Sequence, residues 1–136
     1  MAGMTVLPDI AKEWVDAKTF PTLATINRDG SPQTTIHWVT RDGDDILMST
    51  VRGRRHADNL ERDPRVSVLL IAPDDPYAYL EVRARALVTP EGGRELIDDL
   101  MEKYHGRRPY EWDGPDAVRL VVRIPPEHVV LHGRRR

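Results

Sequence analysis

The spacing of apolar residues changes period several times along the chain, and each change marks an element. Ile10, Trp14 and Ala17 recur at helical spacing and predict a short helix over residues 8–18. From Thr22 the period becomes two. Residues 22–27 and 32–41 read as strands joined by the hairpin turn Arg28-Asp29-Gly30-Ser31. A second turn, Asp42-Gly43-Asp44, leads to a third strand over 45–50, and these three make a meander. Residues 54–62 predict a short helix that ends at Asp63-Pro64, because proline disfavours helical backbone in the residue before it. Residues 65–72 are apolar at both alternations, as expected of a central strand covered on both faces.

Residues 77–88 alternate along their whole length, with Ala78, Leu80, Val82, Ala84 and Ala86 on one face and Tyr79, Glu81, Arg83 and Arg85 on the other. Thr89-Pro90-Glu91 reads as a helix start, with Thr89 as cap. That helix buries Leu96, Ile97, Leu100, Met101 and Tyr104, turns Arg94 outward and stops at Gly106. Strands over 117–124 and 128–132 complete the chain. Six or seven strands with three short helices predict a mostly β fold, a closed or nearly closed antiparallel barrel forming one domain over 1–136. The interior of so small a barrel is filled by side chains, so a large ligand lies outside it or between subunits.

Composition narrows the function. Twenty basic against 22 acidic residues give a net charge of −2, and nucleic-acid binding domains usually carry a positive excess; no nucleic acid is expected as a partner. No apolar run has the length of a membrane span and no signal-peptide core is present, so a cytoplasmic protein with no membrane partner is expected. The absence of cysteine excludes disulfides, thiolate metal sites and thiol catalysis. His128 and His132 share a strand face without a matching acid, and no metal site is expected. The ending Arg134–Arg136 reads as a frayed charged terminus.

The unusual stretch is Ser49-Thr50-Val51-Arg52-Gly53-Arg54-Arg55-His56. Two hydroxyls end a strand, a glycine permits a tight loop, and three arginines crowd a helix start that already bears partial positive charge. Each such cation opposes the helix dipole by ~0.3–1 kcal/mol. An anion at that place, held by helix N–H groups, hydroxyls and guanidinium forks, explains the crowding, and phosphate suits it. A solvated basic loop offset by Asp58, Glu61 and Asp63 explains it equally well.

Ala24-Thr25-Ile26 with Asp29-Gly30-Ser31-Pro32-Gln33, then Ser49-Thr50 with Arg52-Gly53-Arg54, then Asn59-Leu60 with Arg62-Asp63-Pro64-Arg65-Val66-Ser67, and finally residues 119–129 form a pattern. It resembles the split β-barrel flavin and deazaflavin oxidoreductases related to pyridoxamine 5′-phosphate oxidase, and within them the actinobacterial branch that uses the deazaflavin F-420. The resemblance implies a homodimer with two cofactor sites at the subunit interface. It assigns the cofactor phosphate to Ser49, Thr50, Arg54 and His56, where His56 stands in place of a frequent lysine. It lays the flat ring along Thr35, Ile36, His37 and Trp38, and matches Tyr77 and Tyr79 to aromatics from the second subunit. Read without the resemblance, those tyrosines are equally well strand aromatics. Arg52 and Arg55 flank Arg54 and suit the carboxylates of a deazaflavin tail.

No nucleophile–base arrangement stands out, which fits a protein whose chemistry belongs to a bound cofactor. The expected function is F-420-dependent hydride transfer to an electron-poor small-molecule substrate. An FMN-dependent oxidoreductase and a non-enzymatic binder of flavin, deazaflavin or haem are the alternatives. Pyridoxamine phosphate oxidase activity itself is not expected, because that enzyme's C-terminal substrate-binding Arg and Trp pattern is missing.

Overall fold

In the computed structural model, which describes residues 6–133, nine strands form two antiparallel sheets. The chain runs α1 (Asp9–Asp16), β1 (Thr22–Ile26), β2 (Pro32–Ile36), β3 (Thr40–Asp42), β4 (Asp45–Val51), α2 (Arg55–Arg62), β5 (Arg65–Ala72), β6 (Asp75–Arg85), β7 (Leu87–Thr89), α3 (Gly93–His105), β8 (Arg119–Ile124) and β9 (His128–His132). The first sheet has the order β2-β1-β5-β6-β9 and the second β3-β4-β8-β7. Their inner faces enclose the core, where Leu23, Leu70, Leu80 and Val82 of the first sheet meet Ile46, Met48, Val122 and Ile124 of the second. Helix α1 closes one side with Ala11, Trp14 and Val15. The arrangement is mostly β with short helices, as expected, although the two sheets do not close into a barrel.

Two expected strands are each broken in two. Residues 32–41 split into β2 and β3, and residues 77–88 into β6 and β7, and in both cases the halves belong to different sheets. The expected three-stranded meander therefore does not form: β1 pairs with β2 and β5, while β3 and β4 sit in the other sheet. Alternation survives a corner, which is why the break left no mark in the pattern. Ala86 at the second corner is as buried as the alternating alanines before it.

Strand β5 is central but covered on one face only, because Leu69 and Ile71 are exposed, the latter at 49%. Helix α3 starts three residues later than expected, with Gly92 rather than Thr89 at the cap. Thr89 is still paired with Val121 in the sheet ladder and so cannot cap a helix; its hydroxyl donates to Glu91 instead. Gly92 takes the left-handed φ of 78° at the cap, a position that favours glycine. Leu96, Ile97, Leu100 and Met101 are buried and Gly106 ends the helix, both as read from the sequence. The segment Arg134–Arg136 lies outside the described residues.

Candidate functional site

The chain crosses from the first sheet to the second through His37, Trp38 and Val39, and α3 fixes that crossing. Lys103 Nζ donates to the carbonyls of Val15 (2.7 Å) and Val39 (2.5 Å). Burial pushes this amine down to about 8. Tyr104 Oη accepts from Val39 N at 3.0 Å and donates to the Thr19 carbonyl at 2.5 Å. Its ring stacks on Trp38 with centroids 5.1 Å apart and tilts against Phe20. Backbone groups that leave the ladder at the corner are thereby paired, and Ile36, His37 and Trp38 are held as one wall of a cleft.

The opposite wall begins at the end of β4. Successive strand residues point to opposite faces. Thr50 points inward, fully buried, with its Oγ1 2.6 Å from His56 Nε2. Ser49 points outward into the cleft, beside Arg54 at the N-cap of α2 and His56 in its first turn. No side chain caps α2, so its first N–H groups are left for other acceptors. Helix α3 contributes Ile97 and Leu100, the following loop Tyr110, and strand β8 Arg119. The cleft holds about 460 Å³, within the ~300–1,000 Å³ usual for small-molecule sites.

Its electrostatics are set by two imidazoles and two guanidiniums. The rings of His37 and His56 meet edge to face at 5.0 Å, and Thr35 Oγ1 lies 2.7 Å from His37 Nε2. Burial, then the nearby His56 and Arg54, pull His37 down to about 4, against a small opposing effect of the Ser49 carbonyl. His56 is also lowered, by burial first and Arg54 second. Both rings are therefore neutral at pH 7. Arg119 forms a two-pronged pair with Asp113, at 2.8 Å for each bond, and Arg94 reaches the same carboxylate at 2.7 Å. Those bonds hold Asp113 down at about 2. Arg94 faces outward as expected, half exposed, and is also tied to the loop that carries Tyr110.

Thr35, Ile36, His37, Trp38, Ser49, Arg54 and His56 are brought together in this cleft. Thr50 stands behind it as the partner of His56. Arg52 is exposed and away from the lining, and Arg55 opens onto a separate polar pocket with Arg28, Arg62, Asp29 and Asp58. Tyr77 is 82% exposed and Tyr79 stacks on His132 on the first sheet, so neither joins the cleft within one chain. Phe20, Ile97, Leu100, Tyr110 and Arg119 complete the lining and were not assigned to the site from the sequence, where Ile97 and Leu100 were read only as the buried face of a helix. Of the charged and polar ones, Arg119 left a signal there, as one of two arginines flanking the apolar Leu-Val-Val of β8.

The arrangement suits a phosphorylated, flat ligand. The Arg54 guanidinium and the Ser49 hydroxyl line it beside the uncapped start of α2, and Ile36, Trp38, Ile97, Leu100 and Tyr110 supply apolar and aromatic surface. No helix among the described residues is long and apolar enough to cross a membrane.

Comparison with known proteins agrees with this architecture. No curated protein matches the sequence. A solved structure named F-420 reductase superposes with a TM-score of 0.80 at 26% identity, covering 91% of this chain and 98% of that one. A conserved hypothetical protein from Mycobacterium tuberculosis gives 0.76 at 27% identity, covering 97% and 89%. General Stress Protein 26 from Bacillus anthracis, at 16% identity and a TM-score of 0.66 over 88% of each chain, shares the fold. The sequence itself matches the pyridoxamine 5′-phosphate oxidase family over residues 7–132, which takes in both sheets and all three helices described above, and the chain belongs to that family.

Proposed function

We propose that this protein is an F-420-dependent oxidoreductase that reduces an electron-poor small molecule and works as a homodimer. The observation that carries this reading is the cleft itself, in which phosphate-type donors and an apolar, aromatic wall face one space. The likeness to a structure named F-420 reductase supports the deazaflavin over FMN. When bound in its reduced form, the deazaflavin would supply a hydride, two electrons with one proton, and be left oxidised.

Arg54 and the uncapped N–H groups of α2 would hold the phosphate by charge-assisted bonds, with Ser49 donating beside them. Thr50 fixes the ring of His56 through its hydroxyl. Ile36, Trp38, Ile97 and Leu100 would flank the flat ring and exclude water. His37, neutral down to about pH 4, orients neighbouring groups and is a poor proton source at neutral pH. The outer face of the first sheet exposes Leu69, Ile71 and Tyr77, and Ile36 belongs both to that face and to the cleft. A second copy packed there borders the mouth of the cleft, which supports the assignment of Tyr77 and Tyr79 to a neighbouring subunit's site.

Fluorescence titration of the purified protein with F-420 and with FMN at low ionic strength tests the reading. Tighter binding of F-420 is expected, together with a light-scattering mass twice 15.5 kDa. Equal or tighter binding of FMN replaces it with the flavin-dependent alternative, and binding of neither overturns both.

A further inference from the structure

Arg119 opens β8 with its side chain only 4% exposed. Its Nε and Nη2 are engaged by Asp113, whose charge cancels its own. The remaining terminal nitrogen, Nη1, donates to Ser49 Oγ at 3.3 Å. The ladder makes this reach possible, because Val51 lies opposite Arg119 and Ser49 sits two residues along on the same face. The Tyr110 ring lies 4.7 Å from the guanidinium. Gly93 of α3 packs against the Arg119 backbone, so close that a Cβ there would stand 2.0 Å from the Arg119 carbonyl oxygen.

A guanidinium only donates, whereas a serine hydroxyl carries one proton and two lone pairs. With Arg119 on one lone pair of Ser49, the hydroxyl proton is directed away from Arg119, and Ser49 faces the cleft. We infer that Arg119 is a positioning residue that makes Ser49 a committed hydrogen-bond donor toward an anion in the cleft. Net attraction for that anion comes from Arg54, which has no ion-pair partner among the described residues, and Arg119 supplies orientation. The inference rests on the cleft being the phosphate end of the cofactor site.

FMN and riboflavin differ by the phosphate alone, and their dissociation constants for wild type, Ser49→Ala, Arg119→Gln and the double variant form the test. Each single substitution is expected to weaken FMN about tenfold, the loss of one bond to a charged group, and to leave riboflavin unchanged. The double variant is expected to be no weaker than the worse single one, since both remove the same donor. Equal weakening of FMN and riboflavin by Arg119→Gln assigns Arg119 a purely structural role and overturns the inference. So do single effects that multiply in the double variant. If Arg119→Gln does not fold, Arg119→Lys, which keeps a cation for Asp113, carries the cycle. Ser49→Ala is informative by itself, because an unchanged FMN constant in that variant also overturns the inference. Arg54→Ala separates the two levels. If it leaves FMN binding intact, the phosphate lies elsewhere and the underlying reading fails; if it weakens FMN while the Ser49–Arg119 cycle is additive, the reading stands and the inference falls.

Discussion

Two pockets share the loop before α2, and consecutive residues look into different ones: Arg54 into the cleft, Arg55 into the polar pocket on the other side. The polar pocket is the larger, at about 630 Å³, and has Arg28, Arg55 and Arg62 in its wall. Yet Asp29 and Asp58 stand among those cations, and Arg62 is committed to the Ile26 carbonyl and Asn59 Oδ1. Asn59 in turn is buried among Thr25, Asn27 and Gln33, where it joins α2 to the first hairpin. The cleft has fewer arginines but a hydroxyl, two neutral imidazoles and an aromatic wall. In a chain with 17 arginines, the number of guanidiniums says little. A cation becomes selective when low-dielectric surface lies beside it and no acid neutralises it.

The largest effect that can break this contrast is on cofactor affinity. Arg54→Ala is expected to weaken FMN or F-420 binding by roughly ten- to a hundredfold, the ~1.5–3 kcal/mol of a charge-assisted bond. Arg55→Ala is expected to change FMN binding by less than about fivefold, as an exposed charge contributes ~0.2–1 kcal/mol. Isothermal titration of both variants against the same FMN stock measures the difference, and equal losses would remove the distinction between the pockets. Arg123, at the other end of β8 and bonded to Asp42 and Asp45, is the fitting control. Arg94 is not, since it holds Asp113 beside the cleft.

Acid sensitivity comes next, and it belongs to the cleft, because the polar pocket is lined by no histidine. The His37 value of about 4 in the folded protein lies below the ordinary 6.5. Between those values the unfolded chain binds the extra proton, so stability is fully present above pH 6.5 and falls as pH drops toward 4. A tenfold difference in proton affinity between the folded and unfolded chain corresponds to ~1.4 kcal/mol. Discounted for partial solvent access, the loss is on the order of 2 kcal/mol. His56 acts in the same direction. Urea unfolding at pH 7.5, 6.0 and 4.5 should show the decline, and His37→Gln should flatten most of it. A variant that keeps the full slope would place the titrating group elsewhere.

These expectations show how unevenly the sequence disclosed its structure. Helix α2, the hairpin β1–β2, strand β9 and the inward face of β6 follow from period and turn chemistry, and the structure agrees with them. The corners at His37–Val39 and Ala86 do not, because a strand that changes sheets keeps its alternation. The motif around Ser49–His56 was visible, but which of its arginines faces which pocket was not. That depends on Arg54 being the N-cap and Arg55 the first helical residue, a difference of one position. Tyr110 and Asp113 come from a loop with no periodic pattern, and their place beside Arg119 follows from α3 packing over the second sheet through Leu96, Ile97, Leu100 and Val121. Contacts of that kind join distant segments, and local spacing carries no trace of them.

The smallest expected effect concerns the two arginines that the cleft leaves out. F-420 and FMN share a ribityl phosphate, so Arg54 and Ser49 serve both equally. The deazaflavin continues beyond the phosphate with a lactyl-glutamate tail bearing carboxylates, and Arg52 and Arg55 lie exposed on either side of Arg54 in the same loop. Each contact made in solvent contributes only ~0.2–1 kcal/mol. Two together amount to a preference for F-420 of about two- to thirtyfold at low ionic strength. Screening at a Debye length of ~3 Å in 1 M salt should remove most of that preference. The Arg52→Ala, Arg55→Ala double variant should bind FMN as the wild type does, and its ratio of FMN to F-420 dissociation constants should no longer depend on salt. If the ratio keeps its salt dependence without these arginines, the tail takes another path.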